Sequence, residues 1–173
     1  MRRFFLLILV AAIFVVPGCG YHAVGSATHL PPGTKTMSVP VFATKTNAYR
    51  TETVMTTAVI REFAARTHLR VTPSEGGDPD TVLHGTILTQ TVAPLTYNSQ
   101  TQQSSSFLIT ITVAVNLTAR DGRVLYKNDN YVFRQQYQST TDLPTFLEEN
   151  PAAVERLSRD FARALVADVL EGF

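Results

Sequence analysis

Cys19 carries the only thiol in the sequence. A thiol can serve as a nucleophile, a metal ligand, half of a disulfide or an acyl acceptor. The first three roles need partners, and the sequence offers none. There is no second cysteine, and His22, His29, His68 and His84 never stand at metal spacing such as i,i+4 on a helix. Glu148 and Glu149 are adjacent, so on a helix they face different ways and form no carboxylate pair. As first-turn acids they would complement a helix dipole. Ser104, Ser105 and Ser106 have no nearby base, and no G-x-S-x-G elbow is present. Gly76-Gly77 lacks any phosphate-binding context and fits a turn. We therefore expect no catalytic residue, no metal and no cofactor.

The residues around Cys19 favour the fourth role. Arg2 and Arg3 form a basic start, and Phe4 to Val16 is an unbroken apolar run leading through Pro17 and Gly18 to the cysteine. That run is shorter than the about 20 residues needed to span a bilayer but suits the core of a signal peptide. Val16 three positions upstream and a small residue immediately before the cysteine resemble the lipobox of bacterial lipoproteins, with Pro17 where a small or hydroxylated residue is usual. The resemblance implies that residues 1–18 are a signal, cut away, and that Cys19 is lipidated. Each buried lipid methylene contributes about 0.8 kcal/mol, so two or three chains would hold a domain at a membrane permanently. Gly20, rather than Asp, follows the cysteine, which by the usual sorting convention favours the outer membrane.

A second group with binding chemistry lies late in the chain, where Tyr97, Tyr126, Tyr131 and Tyr137 mix with Arg120, Arg123, Lys127 and Arg134. Amphipathic rings beside cations suit lipid or glycolipid head groups, with Arg and Lys taking phosphates. The plainer alternative is ordinary strand aromatics among solvated charges. Overall charge gives no footprint for nucleic acid or anionic lipid. Lys and Arg number 15 against 14 Asp and Glu, and loss of Arg2 and Arg3 leaves the acids one ahead.

The elements that must position these residues follow from pattern. Residues 19–36, with their Gly and Pro and no periodicity, fit a lipidated tether, leaving 37–173 as a single domain. Met37 to Phe42 fits a first strand, with Pro40 placing it at an edge. Met55, Val59 and Phe63 predict a helix over 49–67. Leu69 to Thr72 suggests a brief strand, then a turn-rich loop. Thr81 to Val92 fits a strand, residues 96–106 a polar, uncharged loop, and Phe107 to Thr118 alternates strictly, as a half-buried strand does. Asp121-Gly122 predicts a type I′ hairpin, returning as Val124 to Tyr137 with a bulge or bend at Lys127–Asn130. Asn150 as N-cap and Pro151 at the first helical position open a final helix, striped by Val154, Leu157, Phe161, Leu165 and Val169. The expected fold is α+β and two-layered, with two helices packed on one face of a mostly antiparallel four- to five-stranded sheet, the other face free.

In succession, several motifs resemble the LptE family of lipopolysaccharide-assembly lipoproteins. They are Cys19-Gly-Tyr-His22, the Val39-Pro-Val-Phe42 strand, the Glu52–Ala58 helix start and Asp80-Thr-Val-Leu-His-Gly85. Asp121-Gly-Arg-Val-Leu-Tyr126, the Phe133–Tyr137 strand end and the terminal Asp168-Val-Leu-Glu-Gly-Phe173 continue the series. The resemblance implies a non-enzymatic lipoprotein, anchored on the periplasmic side of the outer membrane, that plugs and helps assemble an LptD-like β-barrel and helps deliver lipopolysaccharide to the outer leaflet. It implies glycolipid-binding cations too, for which Arg120 and Lys127 are the candidates, with Tyr97 and Tyr126 as further contacts. A lipid carrier, or a pilotin-like escort of another outer-membrane protein, is the alternative class.

Overall fold

The structure is a computed structural model that describes residues 29–47, 50–74, 76–98, 103–138 and 143–171, with side chains described except at 97–105 and 143–149. The expected signal segment and Cys19 lie outside the described residues. In chain order the elements are β1 (Thr36–Ser38), β2 (Ala43–Thr44), α1 (Thr51–Arg66), β3 (Arg70–Thr72), β4 (Thr81–Asn98), β5 (Gln103–Ala119), β6 (Val124–Gln138) and α2 (Leu143–Glu171). They form a six-stranded mixed sheet in the order β3-β1-β4-β5-β6, with β2 also on β4. Two helices among the described residues accompany it. This is the α+β architecture the pattern predicts, with a parallel portion that it does not.

That parallel portion overturns the edge assignment of the first strand. β1 is interior, parallel to both neighbours, with Met37 opposite Val71 and Thr81. Pro40 has no N–H to donate, so the ladder ends before it. The chain steps out of register and rejoins β4 as β2, opposite Thr86 and Ile87. Phe42 sits in this step. Its amide donates to Thr56 Oγ1 at 2.9 Å, while Thr56 itself donates back to Glu52 O at 2.7 Å. The Phe42 ring lies directly over Gly85, where a Cβ would stand 2.5 Å from the ring. Only glycine admits that approach.

The meander β4-β5-β6 is antiparallel throughout. Ile109, Ile111, Val113, Val115 and Leu117 are buried, while the residues between them are only partly covered. The period-two pattern therefore predicts this strand correctly. Much of the expected 96–106 loop is instead strand, because β4 continues to Asn98 and β5 begins at Gln103, with Tyr97 opposite Ser104. Paired hydroxyls sustain the ladder, Thr96 and Ser106 meeting at 2.9 Å; residues 99–102 lie outside the described set. The β5–β6 turn is not type I′, which needs positive φ at both central residues. Gly122 has φ 83 and Asp121 is not among the left-handed residues. Gly122 N–H donates to Ala119 O, and Ala119 N–H to Arg123 O, each at 2.9 Å. The connection is a three-residue loop closed by one left-handed glycine.

A second correction concerns α2. It starts at Leu143, not after Asn150, and carries Pro151 inside it. Pro144 in the first turn supplies the start signal expected at Pro151, since an N–H is unbonded there in any helix. Asn150 is not an N-cap; its amide donates to the Tyr137 hydroxyl at 3.4 Å. Glu148 and Glu149 are accordingly not first-turn acids. The predicted stripe is sound, with Leu157, Phe161, Leu165 and Val169 buried alongside Met55, Val59 and Phe63 of α1. Phe161 is the aromatic hub of the core, meeting Phe42, Tyr131 and Phe133 edge-on at centroid distances of 6.1, 5.8 and 5.4 Å.

Candidate functional site: the open sheet face and its flanks

Because both helices cover the face that carries Ile111, Val113 and Phe133, the alternate residues form a face with no helix on it among the described residues. The register sets its rows. His84, Asn116 and Lys127 form one, and Thr91, Thr110 and Arg134 another. Along β4 the residues Thr91 to Thr96 are all exposed, with Val92 at 45% and Leu95 at 47%. The far part of β4 is thus exposed, while Ser106 and Ile109 on β5 and Tyr137 on β6 are buried.

The residues chosen from sequence do not converge. Arg120 is held at the base of the sheet, where it joins a clasp around Asp80. Its guanidinium donates to Asp78 O at 2.6 Å and to Asp80 Oδ1 at 3.1 Å and pairs with the Asp78 carboxylate at 3.2 Å. Asp80 Oδ2 accepts from the backbone N–H of Lys35 and Thr36 and from the Thr36 hydroxyl, each at 2.9 Å. The Lys35 and Thr36 amides, then the Thr36 hydroxyl and the nearby Arg120 charge, hold the Asp80 carboxyl below its ordinary value. Arg120 is thus paired within the molecule, with its side chain about as exposed as that of Lys127, while Asp80 fastens the incoming chain to the start of β4.

Lys127 faces the open side but pairs with Asp129 at 2.9 Å, both side chains being well exposed. Such a pair contributes little and is readily exchanged. Tyr126 points the other way, into a cluster with Tyr131 and Asp168 of α2. Tyr97 lies near the far end of β4, its side chain outside those described.

Tyr131 is the buried member of its cluster. Burial, then its hydrogen bonds to Asp168 and Tyr126, push its phenol well above the ordinary tyrosine value. His29 packs against Tyr126 at a centroid distance of 5.6 Å. Leu30 enters the core, and Thr34 closes a turn on Pro31 O at 2.7 Å. The described part of the stretch expected as tether is therefore fastened to the body.

Composition holds a signal that choosing residues singly misses. Between His84 and Arg120 the sequence contains no Asp, Glu, Lys or Arg, and this interval supplies most of β4 and all of β5. The charge on the open face consequently comes from its borders, chiefly Lys127 and Arg134, with Asp129 the acid beside Lys127. Among the described residues no group of three or more His, Cys, Asp or Glu could hold a metal. A cleft of about 340 Å³ runs between the helices, lined by Thr57, Arg61, Ser158 and Arg159 among others. None of the residues singled out from sequence lies in it. No helix among the described residues is long and apolar enough to cross a membrane.

Comparison with known proteins adds the family. The model of the LptE lipopolysaccharide-assembly family matches residues 34–169, whereas no curated protein sequence matches. Similar solved structures share the fold at low identity. Lipoprotein B from Nitrosomonas europaea superposes with a TM-score of 0.57 at 11% identity, over 89% of this chain and 92% of its own. A lipoprotein from Caulobacter crescentus gives 0.53 at 13%, covering 76% and 89%. The minor lipoprotein from Acinetobacter baumannii gives 0.50 at 14%, covering 82% and 95%.

Proposed function

The chain belongs to the LptE family of lipopolysaccharide-assembly proteins, and from that premise we propose that it works as a lipid-anchored plug in an LptD-type outer-membrane barrel. In this reading residues 1–18 are removed, Cys19 carries the lipid, and the body described here fills the aqueous lumen from the periplasmic side. It assists the barrel's assembly and the delivery of lipopolysaccharide to the outer leaflet. It has no catalytic step to perform.

The observation that carries the reading is the open sheet face together with its charge-free centre. A lumen wall of an outer-membrane barrel is polar and hydrated. A plug must match it without burying unpaired charges, since each such charge is costly. The threonine-rich rows of β4 and β5 meet that requirement with hydroxyls that can donate or accept. The helix-covered core keeps the body rigid enough to hold its shape in the lumen. The clasp at Asp80 and Arg120 fastens the incoming N-terminal segment, so that the anchor's pull enters the fold at the start of the sheet.

The test is purification of the full chain from outer membranes in mild detergent, with Cys19→Ala in parallel. A large heat-modifiable barrel should be retained at equal stoichiometry, surface lipopolysaccharide should fall on depletion, and the Cys19→Ala form should leave the membrane fraction. A body that emerges without a barrel and with a bound lipid would replace the plug by a carrier; a bound secretin would make it a pilotin-like escort.

A further inference from the structure

We propose that the outer edge of β6, from Tyr131 to Gln138, receives an extended acidic segment of another polypeptide as an added strand. This edge is separate from the sheet face on which the plug reading rests. β6 runs for 15 residues and, among the described residues, pairs with β5 alone. A row of its backbone N–H and C=O groups therefore points outward with no described strand to meet it. Such an edge is a template for pairing, and folded proteins normally blunt it with a short strand, a proline, a bulge or charges. The opposite edge of the sheet is blunted in this way, because β3 has 3 residues. The lower part of β6 is blunted too, by the bulge between Asn128 and Tyr131 and by the Lys127–Asp129 pair. Tyr131–Gln138 is not. It has no proline, pairs regularly with β5 and carries a single charge, Arg134.

The fold holds this stretch ready for a partner. Ser106 to Val113 pair with it residue by residue. Tyr137 stacks on Phe107 at a centroid distance of 5.4 Å and accepts a hydrogen bond from Asn150 of α2. A strand already fixed loses little freedom when another joins it. Charge then selects the occupant. An open groove beside this edge is lined by Gln135, Gln136, Tyr137, Gln138 and Arg156 of α2. Arg134 stands exposed on the other side of the sheet, and Asp160, one turn along α2 from Arg156, is paired with Arg163. Cations thus flank the stretch, and an acidic segment meets complementary charge there. A second copy of this chain does not. A two-fold pair of β6 edges brings the two Arg134 side chains together, and like charges across strands are destabilising.

The test uses the full chain in detergent and, as probe, a synthetic peptide of about ten residues in which valine and threonine alternate with glutamate. Its counterpart with glutamine for glutamate is the control. The glutamate peptide should bind and slow amide hydrogen exchange within Tyr131–Gln138, because free-edge N–H groups gain acceptors. The control should bind about tenfold more weakly, the scale of one lost charged hydrogen bond, and Arg156→Gln should narrow that gap. Successive N–H groups of a strand point to opposite edges. Of Gln135→Pro and Gln136→Pro, one therefore breaks a bond to β5 and the other removes a free donor. The variant that keeps the wild-type denaturation midpoint should lose the peptide.

No binding of the glutamate peptide, or exchange slowed only outside Tyr131–Gln138, would overturn the proposal. Equal binding of the two peptides would overturn the acidic class. Full binding in both proline variants would remove the edge as the site; should both variants unfold, the exchange pattern decides the same point. A wild-type dimer that the peptide dissociates would assign the edge to a second copy instead. Barrel co-purification reads the plug separately, since it can fail while the peptide binds, and the peptide can fail while the barrel is retained.

Discussion

Tyr126 and Tyr131 are an odd number of residues apart on one strand, yet their hydroxyls meet each other and the same carboxylate of Asp168. Regular pleating would send them to opposite faces. The register between β5 and β6 slips between Val113 and Val115, where β6 spends three steps from Asn128 to Tyr131 against two on β5. This bulge at Asp129–Asn130 resets the parity. It turns two tyrosines that alternation would separate into one polar fastening between the sheet and α2.

Tyr131→Phe should therefore destabilise the fold by about 1–3 kcal/mol, since it deprives Asp168 of its closer donor in a part-buried site. Urea denaturation at neutral pH is the measure. A midpoint equal to wild type would show that the cluster contributes nothing.

The same phenol gives an alkaline signature. Its folded value lies above the unfolded one of about 10, so the folded state keeps a proton that the unfolded state releases. Stability from this group is fully present below that value and falls as pH rises past it. Denaturation midpoints followed from pH 8 to 11 should drop more steeply for wild type than for Tyr131→Phe.

Asp80 acts at the other end of the scale. Its folded value lies below the ordinary aspartate value of about 3.9, so its contribution is present above about pH 4 and is lost as pH falls through the lower folded value. Asp80→Asn should lower the melting temperature at neutral pH and flatten its fall in acid. Proteolysis near Lys35 should accelerate in the variant, because three donors lose their charged acceptor.

Gly85→Ala should cost about 1–3 kcal/mol, the usual range for overpacking a well-filled site, because the new methyl group would intrude on the Phe42 ring. Phe42→Leu in the same chain should return part of that loss. A double-mutant cycle reads the coupling, and simple additivity would refute the contact as the cause.

Phe161→Ala should be the most damaging of these changes, costing about 3–5 kcal/mol. The ring is fully buried and touches aromatic side chains on the sheet and on the step before β2. Loss of a cooperative urea transition, or a shift of that size, is the expected result.

How much was legible differs by element. The alternation of Phe107 to Leu117 and the four-residue spacing of Met55, Val59 and Phe63 exposed their strand and helix directly, because each buries one face and periodicity records that face. The step at Pro40 was not legible. An edge strand and an interrupted interior strand place proline under the same local constraint, and only the partner β3 decides between them. The engagement of Arg120, a candidate glycolipid cation, was not legible either. Whether a cation is engaged depends on what the fold puts within reach, here Asp78 and Asp80.

By itself the sequence determined the class of the protein: two amphipathic helices, a long alternating meander, a cysteine after an apolar leader, and a succession of motifs resembling LptE. These are local properties, written in spacing and composition, and local physics suffices to read them. Tertiary structure alone decided that β1 runs inside the sheet, that the bulge expected at Lys127–Asn130 brings Tyr126 and Tyr131 to one carboxylate, and that the clasp at Asp80 engages Arg120. Each depends on pairing between residues distant in the chain. Such pairings are selected by how well whole surfaces pack, a condition no single segment expresses.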